Sequence, residues 1–215
     1  MDRPGTAELI APEIQQRSKT TTSSLPGMEP YGRYLNVVDV EATCWAGKRP
    51  PDQVSEIIEI GLTVVDLHER VRVGKHQIIV RPQRSTVSEF CTELTGWTQE
   101  QVDIGVTFAE ACEQLRTEHY ADSRAWASWG DYDRKQFQRQ CEATAVRYPF
   151  GATHTNAKWQ FAMAQGWPKG VGMHRALEVA QLPLEGRHHC GADDAWNIAA
   201  LVLELAMRGT WTEAG

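Results

Sequence analysis

The segment NVVDVEATCWAG, Asn36 to Gly47, ends an apolar run with two carboxylates, Asp39 and Glu41, separated only by Val40. Side chains of a β-strand alternate with period 2, so both acids project from one face. Two carboxylates a few Å apart repel, and burial makes the repulsion costlier. A divalent cation between them removes that cost. An all-oxygen donor set suits Mg²⁺ or Mn²⁺. One acid at a strand end is an ordinary start to a polar turn; the pair is what points to a metal.

Two more acids have the right placement. GDYD, Gly130 to Asp133, lies where a short strand hands over to a helix. Asp133 shares an inward stripe with Phe137 and Cys141. Its simpler role is to favour the helix N-terminus, worth about 0.3–1 kcal/mol. In HHCGADDAWN, His188 to Asn197, Asp194 shares the inward face of the last helix with Ile198, Leu201 and Leu205. Asp193 is turned about 100° away, as a first-turn charge. His189, in the loop entering that helix, can approach a common point with Asp194. Alone, it reads as a loop histidine bonded to backbone.

These residues need a scaffold. YLNVVDV is a buried strand, EIIEIGLTVVD (Glu56 to Asp66) a second, and HQIIVRP (His76 to Pro82) a third ending at proline. LHERVRVGK between the last two reads as a hairpin turn, giving an antiparallel meander. SEFCTELTG opens with Ser88 as N-cap and closes at Gly96. From Thr107, an amphipathic helix carries Phe108, Ala111, Cys112 and Leu115. RAWASWG is a short strand, with Trp126 and Trp129 as core. Helices are expected from Asp133, from Met173 and over ADDAWNIAALVLELAMRG, with Gly209 as the stop. Strands followed by alternating α and β elements fit a mixed sheet covered by helices.

The 215 residues allow one sizeable core. Residues 1–33, rich in Thr, Ser, Pro and Gly, read as a flexible leader to a domain over 34–210. No apolar run is long enough for a bilayer, and no signal-peptide core appears. Five scattered cysteines without CxxC suit free thiols in a reducing, cytoplasmic setting. The net charge of −6 argues against a nonspecific nucleic-acid coat protein. It does not exclude an enzyme that meets nucleic acid through bound cations. His188, His189 and Cys190 are too close in sequence to wrap one tetrahedral zinc. GWPKGVG lacks the P-loop pattern. Lys169, Lys158 and Arg147 have only weak claims as phosphate contacts.

A DxE pair on the first strand, an aspartate at a strand-to-helix junction and H-x4-D entering a late helix occur here in order. This set resembles the DEDDh 3′-to-5′ exonucleases of ribonuclease H-like fold. The matched positions are Asp39, Glu41, Asp133, His189 and Asp194. EATC, SEIIEIG, SEFCTELTGWTQEQVD, WGDYDRKQFQRQC and HHCGADDAWNIA are similar to the Eri-type RNA exonucleases, which include the histone-mRNA 3′-end exonuclease. Two departures bear on substrate choice. No amino-terminal SAP domain is read in the chain, and Tyr132 stands where that branch often has Trp.

The resemblance implies an α/β fold, a mixed five-stranded sheet with helices on both faces. It implies two Mg²⁺ or Mn²⁺ ions on Asp39, Glu41, Asp133 and Asp194, with Asp39 bridging, and His189 as general base. It implies a single-stranded RNA 3′ end as partner and a nucleoside 5′-monophosphate as product. Ala42, Thr43, Leu94, Gly96 and Tyr132 would cradle the terminal nucleotide. A DNA-directed exonuclease of the same superfamily, or a silent nucleic-acid-binding module, are the alternatives; the complete set of five argues against the second.

Overall fold

The computed structural model describes residues 32–212. The leader expected over 1–33 lies almost wholly outside the described residues. Strands β1 (Tyr34–Ala42), β2 (Ile57–Asp66) and β3 (Val71–Ile79) form the expected meander, antiparallel throughout. Strands β4 (Ala125–Ser128) and β5 (His154–Asn156) add in parallel beyond β1, so the sheet order is β3-β2-β1-β4-β5. The helices are α1 (Glu89–Thr95), α2 (Gln99–Asp103), α3 (Phe108–His119), α4 (Tyr132–Thr144), α5 (Ala157–Ala164), α6 (Met173–Ala180) and α7 (Gly191–Met207).

Alternation along β1 divides the core. Val38 and Val40 face one layer with Phe108, Leu115 and Phe137, from α3 and α4. Leu35 and Val37 face the other, with Phe161, Leu177, Ile198 and Leu201, from α5, α6 and α7. Asp39 and Glu41 continue the odd-numbered row, on the face that α7 covers. Strand β2 is buried at all ten positions because it is central and covered on both sides.

The caps follow the sequence. Ser88 accepts the Cys91 N–H, and Gly96 ends α1 in the left-handed conformation. Thr107 opens α3 with a capping box. One boundary differs from expectation. The polar stretch after Leu67 turns within a few residues, and β3 begins at Val71 rather than His76. Its residues alternate between exposed and half-buried, because it is an edge strand. Such a strand carries enough charge to resemble a turn.

Candidate active site

The C-terminal half of β1 supplies Asp39 and Glu41, the β4–α4 junction Asp133, and the first turn of α7 Asp194. Carboxylate oxygens of Asp39, Glu41 and Asp194 all lie within 4.8 Å of one another. This approach needs glycine on both sides. A Cβ at Gly61 on β2 would overlap the Gly191 carbonyl, and one at Gly191 would crowd Glu59 and the Asp39 carbonyl. The Gly61–Gly191 contact therefore lets α7 sit low enough to bring Asp194 onto the DxE pair.

Asp133 is buried beside them, its Oδ1 accepting the Val40 N–H at 3.0 Å. It stands at the head of the buried stripe that continues through Phe137 and Cys141. All four acids titrate high. Burial, then repulsion from Asp133, Glu41 and Asp194, holds Asp39 well above the ordinary carboxylate range. Burial and the neighbouring acids push Glu41 up to about 8, while Arg187 opposes them. Burial raises Asp133 to about 6 and also raises Asp194, against the His188 contact. Charges so arranged are costly without a counter-ion. The donor set, all carboxylate oxygens, fits a hard divalent cation.

The histidine loop is arranged differently from the expectation for a lone base. His188 Nδ1 approaches both oxygens of Asp194, at 3.0 and 3.1 Å. His189 donates its backbone N–H to Asp194 Oδ2 at 3.0 Å and stacks its ring on His188, centroids 4.0 Å apart. Its φ of 64° is left-handed, rare for a residue with a side chain and frequent at functional sites. One ligand atom from each of His188, His189 and Asp194 also falls within 4.8 Å of the others. Asp193 is more than a first-turn charge: it pairs with Lys75 and accepts the Arg187 N–H.

The residues expected to cradle a nucleotide lie next to Glu41 and Asp133 in the chain or reach the histidine loop through Arg187. Gly96, with φ 77°, turns the chain after α1, and Arg187 donates to the Leu94 carbonyl at 3.1 Å. Tyr132 is 56% exposed, at the start of α4 and next to Asp133. Ala42 and Thr43 are buried. Thr43 donates its N–H to the Glu56 carbonyl, and its hydroxyl bridges Val54 and Glu56. Thr43 thus shapes the end of β1 and has no N–H left to offer a ligand. Trp126 is core, and Trp129 is half-buried with its indole N–H on the Val171 carbonyl. Arg147 pairs with Asp122, and Lys158 packs over Gly170.

Sequence reasoning missed Glu59. It sits opposite Glu41 in the β1–β2 register and is fully buried. Glu59 is the second acid of SEIIEIG, but β2 is buried at every position, so no alternation in the sequence singles it out.

The family model for exonucleases of the RNase T type matches residues 37–202. The chain belongs to the RNase T exonuclease family. Human 3'-5' exoribonuclease 1 is 31% identical over 192 residues, 83% of this chain and 54% of that protein. The 3'-5' exonuclease Snipper of Drosophila melanogaster is 31% identical over 216 residues, covering 89% of this chain and 75% of that one. The solved nuclease domain of 3'hExo, a DEDDh family member bound to rAMP, has a TM-score of 0.74 at 28% identity. That comparison covers 87% of this chain and 99% of the other. The fold is therefore the α/β, ribonuclease H-like fold of this exonuclease family. This chain spans about half the length of the human relative. Among the described residues, no helix is long and apolar enough to cross a membrane.

Proposed function

We propose that this protein is a 3′-to-5′ exoribonuclease, its catalytic domain at residues 34–210, that releases nucleoside 5′-monophosphates from single-stranded 3′ ends. The convergence of Asp39, Glu41 and Asp194, with Asp133 alongside, carries the reading. Asp39, Glu41 and Asp194 would hold one divalent cation; Asp39 and Asp133 would hold a second. Two Mg²⁺ or Mn²⁺ ions would supply charge stabilisation at the attacking and leaving oxygens of the phosphodiester.

The protein's own groups do the rest. His189 accepts a proton from the attacking water. Burial, then the neighbouring His188, lowers its affinity for a proton, so the ring is neutral and able to act as a base near neutral pH. Water adds to phosphorus, the bond from phosphorus to the 3′-oxygen of the penultimate nucleotide breaks, and that oxygen takes a proton from solvent, to which His189 returns the proton it accepted. The product keeps its 5′-phosphate. Tyr132 offers an exposed ring for base stacking, worth about 1–3 kcal/mol per base. Leu94, Gly96, Ala42 and the wall shaped by Thr43 enclose the terminal nucleotide. Five free thiols suit a reducing, cytoplasmic setting.

The test uses 5′-labelled RNA and DNA of one sequence, incubated with Mn²⁺ and then with chelator. The expected result is a ladder shortening from the RNA 3′ end, stopped by chelator, with nucleoside 5′-monophosphate released. RNA bound but never shortened would instead support the silent module. The Drosophila relative carries the broader name of 3'-5' exonuclease, which keeps DNA-directed hydrolysis as the second reading; faster shortening of DNA would favour it.

A further inference from the structure

Glu59 lies beside the acidic centre with both oxygens committed to four donors from four different residues. Oε1 accepts Gln77 Nε2 at 2.7 Å, the Ala192 N–H at 3.0 Å and the Cys190 thiol at 3.6 Å. Oε2 accepts the Trp97 indole N–H at 2.6 Å. A carboxylate has about four acceptor positions, so Glu59 has little left for a cation. All four partners are donors, which explains an acceptor-only group here. Its negative charge also faces the N-terminal end of α7, where it is favourable.

The donors come from two parts of the site. Trp97 follows Gly96, and its carbonyl is held by the Thr92 hydroxyl at 2.8 Å, so it is fixed to the turn after α1. Ala192 lies in the first turn of α7, two residues before Asp194. We propose that Glu59 is a positioning residue that joins the Leu94–Trp97 turn to the first turn of α7, fixing the spacing between the nucleotide cradle and Asp194. Arg187, reaching from the histidine loop to the Leu94 carbonyl, makes a second link between the same two parts. The inference rests on the proposed nuclease site.

The test uses the full chain with two variants, Trp97→Phe and Glu59→Gln. Trp97→Phe keeps an aromatic ring and deletes one N–H. Glu59→Gln keeps the shape but turns an NH₂ toward a donor. Two affinities are measured without turnover: Mn²⁺ by paramagnetic titration, and adenosine 5′-monophosphate in saturating Mn²⁺ by calorimetry. Trp97→Phe should weaken the nucleotide about tenfold, as for a lost charged hydrogen bond, and leave Mn²⁺ within about twofold. Glu59→Gln should weaken both. The double variant should be little worse than Glu59→Gln alone, since both changes remove one link.

A purely structural role would lower the melting temperature without moving either affinity. Unchanged affinities in folded Trp97→Phe would overturn the proposal, as would effects that multiply in the double variant. If Glu59→Gln fails to fold, Trp97→Phe still decides. A wild-type protein that binds Mn²⁺ and nucleotide but hydrolyses nothing would sink the nuclease reading, and the affinities would still judge Glu59.

Discussion

His188 Nδ1 lies 3.0 Å from Asp194 Oδ2, so the imidazole that meets this carboxylate comes from the residue before the expected base. His189 reaches the same oxygen through its backbone and lays its ring over His188. One ring meets Asp194, and the other is stacked above it. Losing an orienting contact should cost less than losing a base.

His189→Ala should therefore lower kcat by about 10²–10⁴, the range for a missing general base, with Mn²⁺ affinity retained. His188→Ala should lower it by about tenfold, the scale of one hydrogen bond to a charged group. Initial rates on a 5′-labelled oligonucleotide decide the matter. The opposite ranking would transfer the role of base to His188.

Burial, then the carboxylates of Asp133, Glu41, Asp194 and Glu59, disfavours a charge on Asp39. Asp39→Asn should lower hydrolysis by about 10³ or more, because a cation ligand is lost. The same change removes a half-buried carboxylate from among like charges. The metal-free variant should then melt no lower than wild type, and higher at alkaline pH. Asp194→Asn should also abolish hydrolysis. Full activity in either variant would end the two-cation proposal.

Stability should report the same repulsion through pH. Glu41 is pushed up to about 8 and Asp133 to about 6, both above their unfolded values. Between the unfolded and folded values the native state binds more protons than the unfolded chain. Unfolding free energy from these groups therefore falls as pH rises through that window. Metal-free protein should melt at a higher temperature near pH 5 than near pH 8. Divalent cations bind the deprotonated acids, so the rise in melting temperature on adding Mn²⁺ should grow over the same window. Thermal scans with chelator or Mn²⁺ across this range provide the measurement, and a Mn²⁺ effect independent of pH would contradict it.

The site was legible wherever a regular period aimed a side chain. Period 2 put Asp39 and Glu41 on one face, and helical spacing put Asp133 and Asp194 at the heads of buried stripes. His189 was read alone, and the contact of the His188 ring with Asp194 went unread, because the directions of adjacent loop side chains depend on backbone torsion and the φ of 64° at His189 has no sequence signal. Glu59 was hidden for another reason. A strand buried on both faces has no alternation to read, and its pairing with Glu41 depends on the hairpin register. In the fold, β5 has three residues, too few to show a period, and α5 carries apolar side chains around most of its circumference. Both went unread.

Glycine should separate backbone constraints from side-chain ones. At Gly61 an added Cβ meets the Gly191 carbonyl, and neither backbone can yield without lifting α7 from the sheet. Gly61→Ala should cost about 3 kcal/mol in denaturant unfolding, the upper part of the range for overpacking, and should weaken Mn²⁺ binding as Asp194 withdraws. At Gly96 the obstruction is the tip of the Arg187 side chain, which can swing away. There the cost is the left-handed φ of 77°, about 1–2 kcal/mol for a residue with a Cβ. Displacing Arg187 also frees the Leu94 carbonyl, so Gly96→Ala should raise KM for RNA while Mn²⁺ affinity holds. If Gly61→Ala proves the milder change for both stability and Mn²⁺, then the close seat of α7 on β2 is not what brings Asp194 to Asp39 and Glu41.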